Sequence, residues 1–153
     1  MLPIEKVVND VNLQRHWVYR VVAFVIDAFL VLIPFLIFGL FLHLLFPKLF
    51  NFFWWAAYGA CLWLYSALLE HASGRTIGKA LLSLRAEGKK GKLDFATALI
   101  RNLSKIFPVL LFLDWLVGMV TDGDPRQRYL DRLLEVTVRR TDVTEDQGAS
   151  SAS

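Results

Sequence analysis

Charge is scarce in one part of this sequence: neither lysine nor glutamate occurs between Trp17 and Phe46. An apolar run of this length is long enough for a helix to cross the hydrocarbon core of a bilayer. Arg20 and Asp27 are the two formally charged side chains in the run. A carboxylate inside a membrane span is costly and marks an ion path, a proton relay or a packed polar contact. The run therefore predicts a membrane protein with these two residues as its leading candidates.

Cysteine is also scarce, since the chain has a single one, Cys61. An internal disulfide is therefore excluded, and we interpret Cys61 as a small apolar filler. The histidines His16, His43 and His71 stand far apart, so no metal-ligand cluster is expected. The sequence also has no Ser-His-Asp arrangement and no glycine-rich cofactor loop. These absences predict a protein that is not an enzyme and has no cofactor and no bound metal.

The residues that are present favour a membrane location. Hydrophobic residues make up 56% of the chain, the mean hydropathy is +0.46 and the formal charge is +3. The positive residues stand in blocks between apolar segments. This arrangement predicts that the chain contacts the lipid bilayer and its anionic headgroups, rather than a nucleic acid. The positive blocks are also expected to set which segments lie on the cytoplasmic side.

Three apolar segments, at about 17–46, 49–69 and 106–120, predict an all-α membrane protein with about three transmembrane helices. A tight turn at Pro47 and Lys48 joins the first two segments into a predicted helical hairpin. Glu70, at the end of the second segment, is expected at an interfacial helix end. The third segment contains Pro108 and Asp114, so a kinked or re-entrant helix is an alternative to a full crossing. We favour three crossings, which place the C-terminus outside. The basic residues that follow the third segment favour the cytoplasmic side instead.

The flanking and connecting segments complete the predicted organisation. Residues 1–16 are expected to form a cytoplasmic amphipathic tail, 17–140 the transmembrane domain, and 141–153 a disordered polar tail. The basic segment 72–105 is placed in the cytoplasm with the N-terminus. Within it, Leu82–Glu87 and Lys92–Phe95 flank a glycine-lysine turn and predict a short β-hairpin. Asp94 is a candidate cap for a helix that begins near Phe95, and Glu135–Val138 is expected to be extended.

Gly74, Thr76, Gly78 and Lys79 form a loop motif that resembles a nucleotide-binding phosphate loop only superficially. That motif needs four residues between its glycines and Ser or Thr after the lysine. Here three residues lie between the glycines, and Ala80 follows Lys79. We therefore interpret the segment as a tight turn, with Lys79 directed at lipid headgroups or a carboxylate.

Taken together, three motifs resemble the RDD family of small membrane proteins over roughly residues 15–140. The motifs are Arg20-x-x-Ala23-x-x-x-Asp27, Gly74-x-Thr76-x-Gly78-Lys79 and Gln127-Arg128-x-x-Asp131. The resemblance implies Arg20, Asp27 and Asp131 as signature residues. The chain departs from the family pattern near its end, where similar sequences have Gly-Thr-Val and this one reads Glu135-Val136-Thr137-Val138.

The resemblance implies either transport, including sodium–proton exchange, or an accessory role in a membrane assembly. In the transport hypothesis Asp27 exchanges a proton for a monovalent cation, and Asp114 is a second ligand. Three helices are too few to enclose a pathway, so this hypothesis requires a homo-oligomer.

In the alternative, the chain is a scaffold or accessory subunit. Asp27 then pairs with Arg20 of another helix, with Lys105 or with Arg101, and Asp131 pairs with Arg20. A small-residue face at Ala56 and Ala60 would dock a membrane protein partner.

Overall fold

The computed structural model describes residues 3–46, 52–88 and 91–141, and this part of the chain is mostly helical. Its elements in chain order are α1 (Pro3–Asn9), α2 (Val11–Leu45), α3 (Phe52–Ser73), α4 (Ile77–Leu81), β1 (Leu84–Glu87), α5 (Phe95–Asn102), a 3-10 turn (Leu103–Ile106), α6 (Pro108–Val120), α7 (Tyr129–Leu133) and β2 (Thr137–Arg140). Of the predicted tail at 141–153, the structure describes Thr141, and residues 142–153 lie outside the described part of the chain.

The long helix α2 carries the predicted first membrane segment. Its 35 residues give a length of about 52 Å at 1.5 Å per residue, and Pro34 does not end it. Asp10 caps its start by accepting a hydrogen bond from the Asn12 N–H at 2.8 Å. This cap divides the helix predicted for residues 1–16 into α1 and the beginning of α2. Within the described residues, α2 is the one continuous helix that is long and apolar enough to span a membrane.

Helices α2 and α3 run antiparallel. The Phe35 and Trp54 rings lie 4.5 Å apart between centroids, and the Tyr58 hydroxyl donates to the Ala28 carbonyl at 2.8 Å. Residues later in α3 contact residues earlier in α2, which is the antiparallel packing that the predicted helical hairpin requires. The turn predicted at Pro47 and Lys48 lies outside the described residues.

The third apolar segment is broken at Phe107. Helix α6 begins with Pro108 in its first turn, where proline needs no hydrogen-bond partner, and it meets the preceding helical segment at 111°. Its 13 residues extend about 20 Å, whereas a hydrocarbon core is about 30 Å thick. A third full crossing is therefore not confirmed. After α6 the chain returns to the start of α2, where the Trp17 indole donates to the Pro125 carbonyl at 2.9 Å.

The predicted β-hairpin is wrong in its pairing. Strand β1 pairs with the distant β2 in an antiparallel register, Leu84 opposite Arg140. Residues Lys92–Phe95 supply no strand, because the Asp94 carboxylate caps α5 through the Ala96 N–H at 3.2 Å, as predicted. Gly88 and Gly91 share one isolated bridge, and Lys89 and Lys90 lie outside the described residues.

A small core explains why β2 is the better partner for β1. Leu84 and Ala86 alternate inward from β1, and Val138 of β2 joins them in the same cluster. Ala23 and Ala67 bring α2 and α3 close to this sheet with little side-chain bulk. The β-sheet therefore attaches the C-terminal segment to the start of the helical pair.

Glu135 is in the left-handed region, with φ of 54°, immediately after α7. The Glu135 N–H donates to Arg132 O at 3.1 Å and the Val136 N–H donates to Asp131 O at 2.8 Å. This pair of bonds is a Schellman motif, whose left-handed position favours glycine.

We expect Glu135→Gly to raise the free energy of unfolding by up to about 1 kcal/mol, because glycine removes the steric penalty of the left-handed conformation. The measurement is thermal unfolding in detergent. Glu135→Val is the contrast, since a β-branched side chain at this φ should lower the midpoint. Equal midpoints for the two variants would contradict the proposed strain.

A buried charge cluster as the candidate functional site

Nine charged side chains are buried at the end of the helical pair where α2 begins, each with 7% exposure or less. They are the cations Arg20, Lys79, Arg101, Lys105 and Arg128 and the carboxylates Asp27, Glu70, Asp114 and Asp131. We call these residues the charge cluster. Buried charges are tolerated only when they are paired and hydrogen-bonded, so their partners define what the cluster can do.

Asp131 in α7 is one of the two centres of the cluster. Its carboxylate accepts from Arg20 Nη2 at 2.5 Å, Arg101 Nε at 2.6 Å and Arg128 Nε at 3.4 Å. Burial opposes ionisation of Asp131, but the three guanidinium groups together hold the pKa of this carboxyl well below its usual range. The predicted pairing of Asp131 with Arg20 is confirmed.

Glu70 is the second centre, and it lies in the last turn of α3, at the position of the predicted interfacial helix end. Its side chain is fully buried. It pairs with Lys79 Nζ, with Arg101 Nη1 at 2.9 Å and with Asn102 Nδ2 at 2.8 Å. Arg101 therefore joins the two centres, because its guanidinium group binds both Glu70 and Asp131.

Asp27 is held by neutral donors. Its oxygens accept from Thr76 Oγ1 at 2.5 Å, from the Gly78 N–H at 2.8 Å and from the Tyr65 hydroxyl at 3.0 Å. Within the described residues no cation lies at ion-pair distance from this carboxylate. The predicted pairing of Asp27 with an arginine or with Lys105 is therefore wrong.

Each residue of the loop motif has a structural task. Gly74 turns the chain with φ of 75°. Thr76 caps α4 by accepting from the Lys79 N–H at 3.4 Å while its hydroxyl donates to Asp27. Gly78 packs so closely on α2 that an added Cβ would lie 2.1 Å from the Ala23 carbonyl oxygen.

Lys79 ends the loop motif and binds the carboxylate of Glu70, one of the two partners predicted for it. Burial lowers the pKa of its ammonium group to about 7, and the charges of Arg101 and Lys105 add to this effect, whereas Glu70 opposes it.

Asp114 lies in α6, away from Asp27. It accepts from the Leu130 N–H at 2.9 Å and from Ser104 Oγ at 3.3 Å, and Arg128 Nη1 lies 3.5 Å away. The side chain thus attaches α7 to α6. It does not line the cavity beside Asp27, so the predicted two-aspartate ligand set is not formed.

Two concave features lie beside the cluster. The first is a cavity of about 30 Å³ lined by Arg20, Phe24, Asp27, Lys79, Lys105, Leu111, Trp115 and Arg128. The second is an open groove of about 680 Å³ between the start of α2 and the C-terminal strand. Four arginines line the groove, at positions 15, 126, 139 and 140. In the described residues no group of three or more His, Cys, Asp or Glu side chains is placed to hold a metal ion.

Sequence reasoning missed Glu70 as a centre of the cluster and gave Arg101 only as one of several partners for Asp27. Glu70 was assigned to the interface because it ends an apolar segment, and Arg101 belongs to a segment that looked uniformly basic. The available signal was position: Glu70 is the one acidic residue of α3, and Arg101 follows the apolar residues of α5.

These features define a mostly helical protein with one helix that is long and apolar enough to span a membrane and with a buried charge cluster beside it. The model of the RDD family matches residues 15–135, which is most of the chain. The chain therefore belongs to the RDD family, as the three motifs predicted. No curated protein and no solved structure matches it.

Proposed function

We propose that this protein is a non-enzymatic membrane scaffold or accessory subunit, in which the charge cluster is a structural network. The observation that carries the proposal is that Arg101 binds Glu70 of α3 and Asp131 of α7 at the same time. Arg20 of α2 binds the same Asp131. Two of the signature residues, Arg20 and Asp131, thus hold the C-terminal segment against the helical pair, and the third, Asp27, holds the loop motif.

The surroundings of Asp27 support this proposal over cation binding. A hard cation such as sodium needs several oxygen ligands that converge on one point. Both Asp27 oxygens instead accept hydrogen bonds from the protein. The adjacent cavity is lined by four cationic side chains, which would repel a metal cation.

Monovalent cation and proton exchange is the second candidate, and one observation favours it. Asp27 is 1% exposed, lacks an ion pair in the described part of the chain, and lines a cavity of one water's size. Such a carboxylate meets the first requirement of a proton carrier. In this candidate a homo-oligomer supplies the pathway that one chain does not enclose.

We further propose a topology in which α6 is re-entrant and the N-terminus, residues 72–105 and the C-terminal segment share the cytoplasmic side. The return of Pro125 to Trp17 supports this arrangement. The arginine-lined groove would then face the anionic headgroups of the inner leaflet. Ala60 is exposed on α3 and leaves room for a partner helix from a second copy or another membrane protein.

The experiment that separates the candidates compares wild type with Asp27→Asn in proteoliposomes and in detergent. We expect no proton flux driven by Na⁺, Li⁺ or K⁺ in the wild type. We expect Asp27→Asn to lose about 1–3 kcal/mol of unfolding free energy, because an amide cannot accept all three hydrogen bonds.

Asp122→Asn is the matched control, since Asp122 is exposed and its loss should change neither measurement. Cation-dependent flux in the wild type that disappears in a fully stable Asp27→Asn protein would overturn the scaffold proposal and establish transport.

A further inference from the structure

The small cavity beside Asp27 is enclosed by an unusual concentration of positive charge. Arg20, Lys79, Lys105 and Arg128 all contribute to its walls, against the single carboxylate of Asp27. The volume of about 30 Å³ matches one water molecule or one monatomic ion. The remaining walls are the apolar side chains of Phe24, Leu111 and Trp115.

The charges of the cluster do not balance. Five cations and four carboxylates are buried together in the described residues, which leaves one positive charge in excess. Lys105 carries one of these positive charges. Its ammonium group is hydrogen-bonded to Ser66 Oγ at 2.9 Å, and within the described residues no carboxylate lies at ion-pair distance from it.

An unpaired buried ammonium group is strongly unfavourable unless a counter-ion neutralises it. The cavity supplies a place for one, since Lys105 lines it together with three other cations. Asp27 is the one carboxylate among the residues that line this cavity, and the four cations of the lining outnumber it.

We propose that this cavity binds one small monovalent anion of chloride size, held by the ammonium and guanidinium groups of its walls. One such ion balances the excess charge and fills the volume. The site belongs to the folded chain itself and does not depend on whether the protein carries a transport activity.

The test is thermal unfolding of the full chain in detergent, with sodium gluconate replaced by sodium chloride or bromide at constant ionic strength. Ligand that binds only the folded state raises the midpoint in proportion to the logarithm of its concentration. At ten times the dissociation constant the expected rise is about 4 °C for a protein of this size. Equal midpoints in gluconate and chloride would overturn the proposal. A neutral Lys79 would remove the excess charge, so it would give the same result and overturn the proposal in the same way.

Lys105→Met gives the sharper comparison. Loss of this cation balances the cluster without an anion, so the halide dependence should disappear and the midpoint in gluconate should match or exceed that of the wild type. Lys92→Met is the matched control, because Lys92 is exposed and its loss should leave the halide dependence intact.

A direct reading comes from crystals of the wild-type protein grown in bromide. An anomalous peak in the cavity supports the proposal, and its absence in well-ordered crystals overturns it. This measurement stands even where Lys105→Met fails to fold.

Discussion

Asp131→Asn is expected to lower the free energy of unfolding by about 3–5 kcal/mol, because it leaves buried arginines without their shared carboxylate. Asparagine keeps the shape of the side chain but removes the charge that Arg20, Arg101 and Arg128 face. Small proteins have only about 5–15 kcal/mol of stability in total. The fraction of monodisperse protein after size exclusion in detergent should therefore fall sharply, and the thermal midpoint should fall with it.

Two further variants give this prediction its control. Asp122→Asn removes an exposed carboxylate from the same region and should leave stability within a few tenths of a kcal/mol. Arg20→Met combined with Asp131→Asn should be more stable than the sum of the single changes, because both partners of one ion pair are then absent. Strict additivity would show that the Arg20–Asp131 contact is not energetically coupled.

Gly78→Ala is expected to lower the free energy of unfolding by about 3 kcal/mol, at the upper end of the range for overpacking. The added methyl group would lie 2.1 Å from the Ala23 carbonyl oxygen and 3.0 Å from Asp27 Cγ. The Ala23 oxygen belongs to the backbone of α2 and cannot rotate away, so α4 must move away from α2. That movement withdraws the Gly78 N–H from Asp27, which it now contacts at 2.8 Å.

Gly88→Ala is the matched control for this change. An added Cβ there meets nothing closer than 3.7 Å, so the variant should unfold near the wild-type midpoint. A Gly78→Ala protein as stable as Gly88→Ala would show that α4 does not need its close approach to α2.

The apolar run, its two charges and the three motifs were predictable because each is a local pattern. Asp27 and Gly78 were both recognised, and the sequence placed them in different motifs. Their direct contact was not predictable, because it joins residues 51 positions apart. Local patterns specify a helix or a turn, whereas this contact depends on how closely two backbones approach.

The β-hairpin prediction failed for a related reason. The turn between Gly88 and Gly91 favoured a local partner for β1, and the rule that adjacent strands pair is usually sound. The inward alternation of Leu84 and Ala86 needed an apolar partner strand, and β2 supplied Val138. The same return of the chain buries Glu70, which is predicted at the interface, and Arg101, which is predicted in the basic cytoplasmic segment.

The position of Asp131 late in the chain sets an order of events during synthesis. Arg20 is made 111 residues before the carboxylate that neutralises it, and Arg101 is made 30 residues before. Arg20 therefore has to wait for this carboxylate until α7 is made, whereas Arg101 can pair earlier with Glu70, which precedes it in the chain. A chain that stops short of α7 lacks the carboxylate that pairs with Arg20, and one that stops short of β2 also lacks the partner strand of β1.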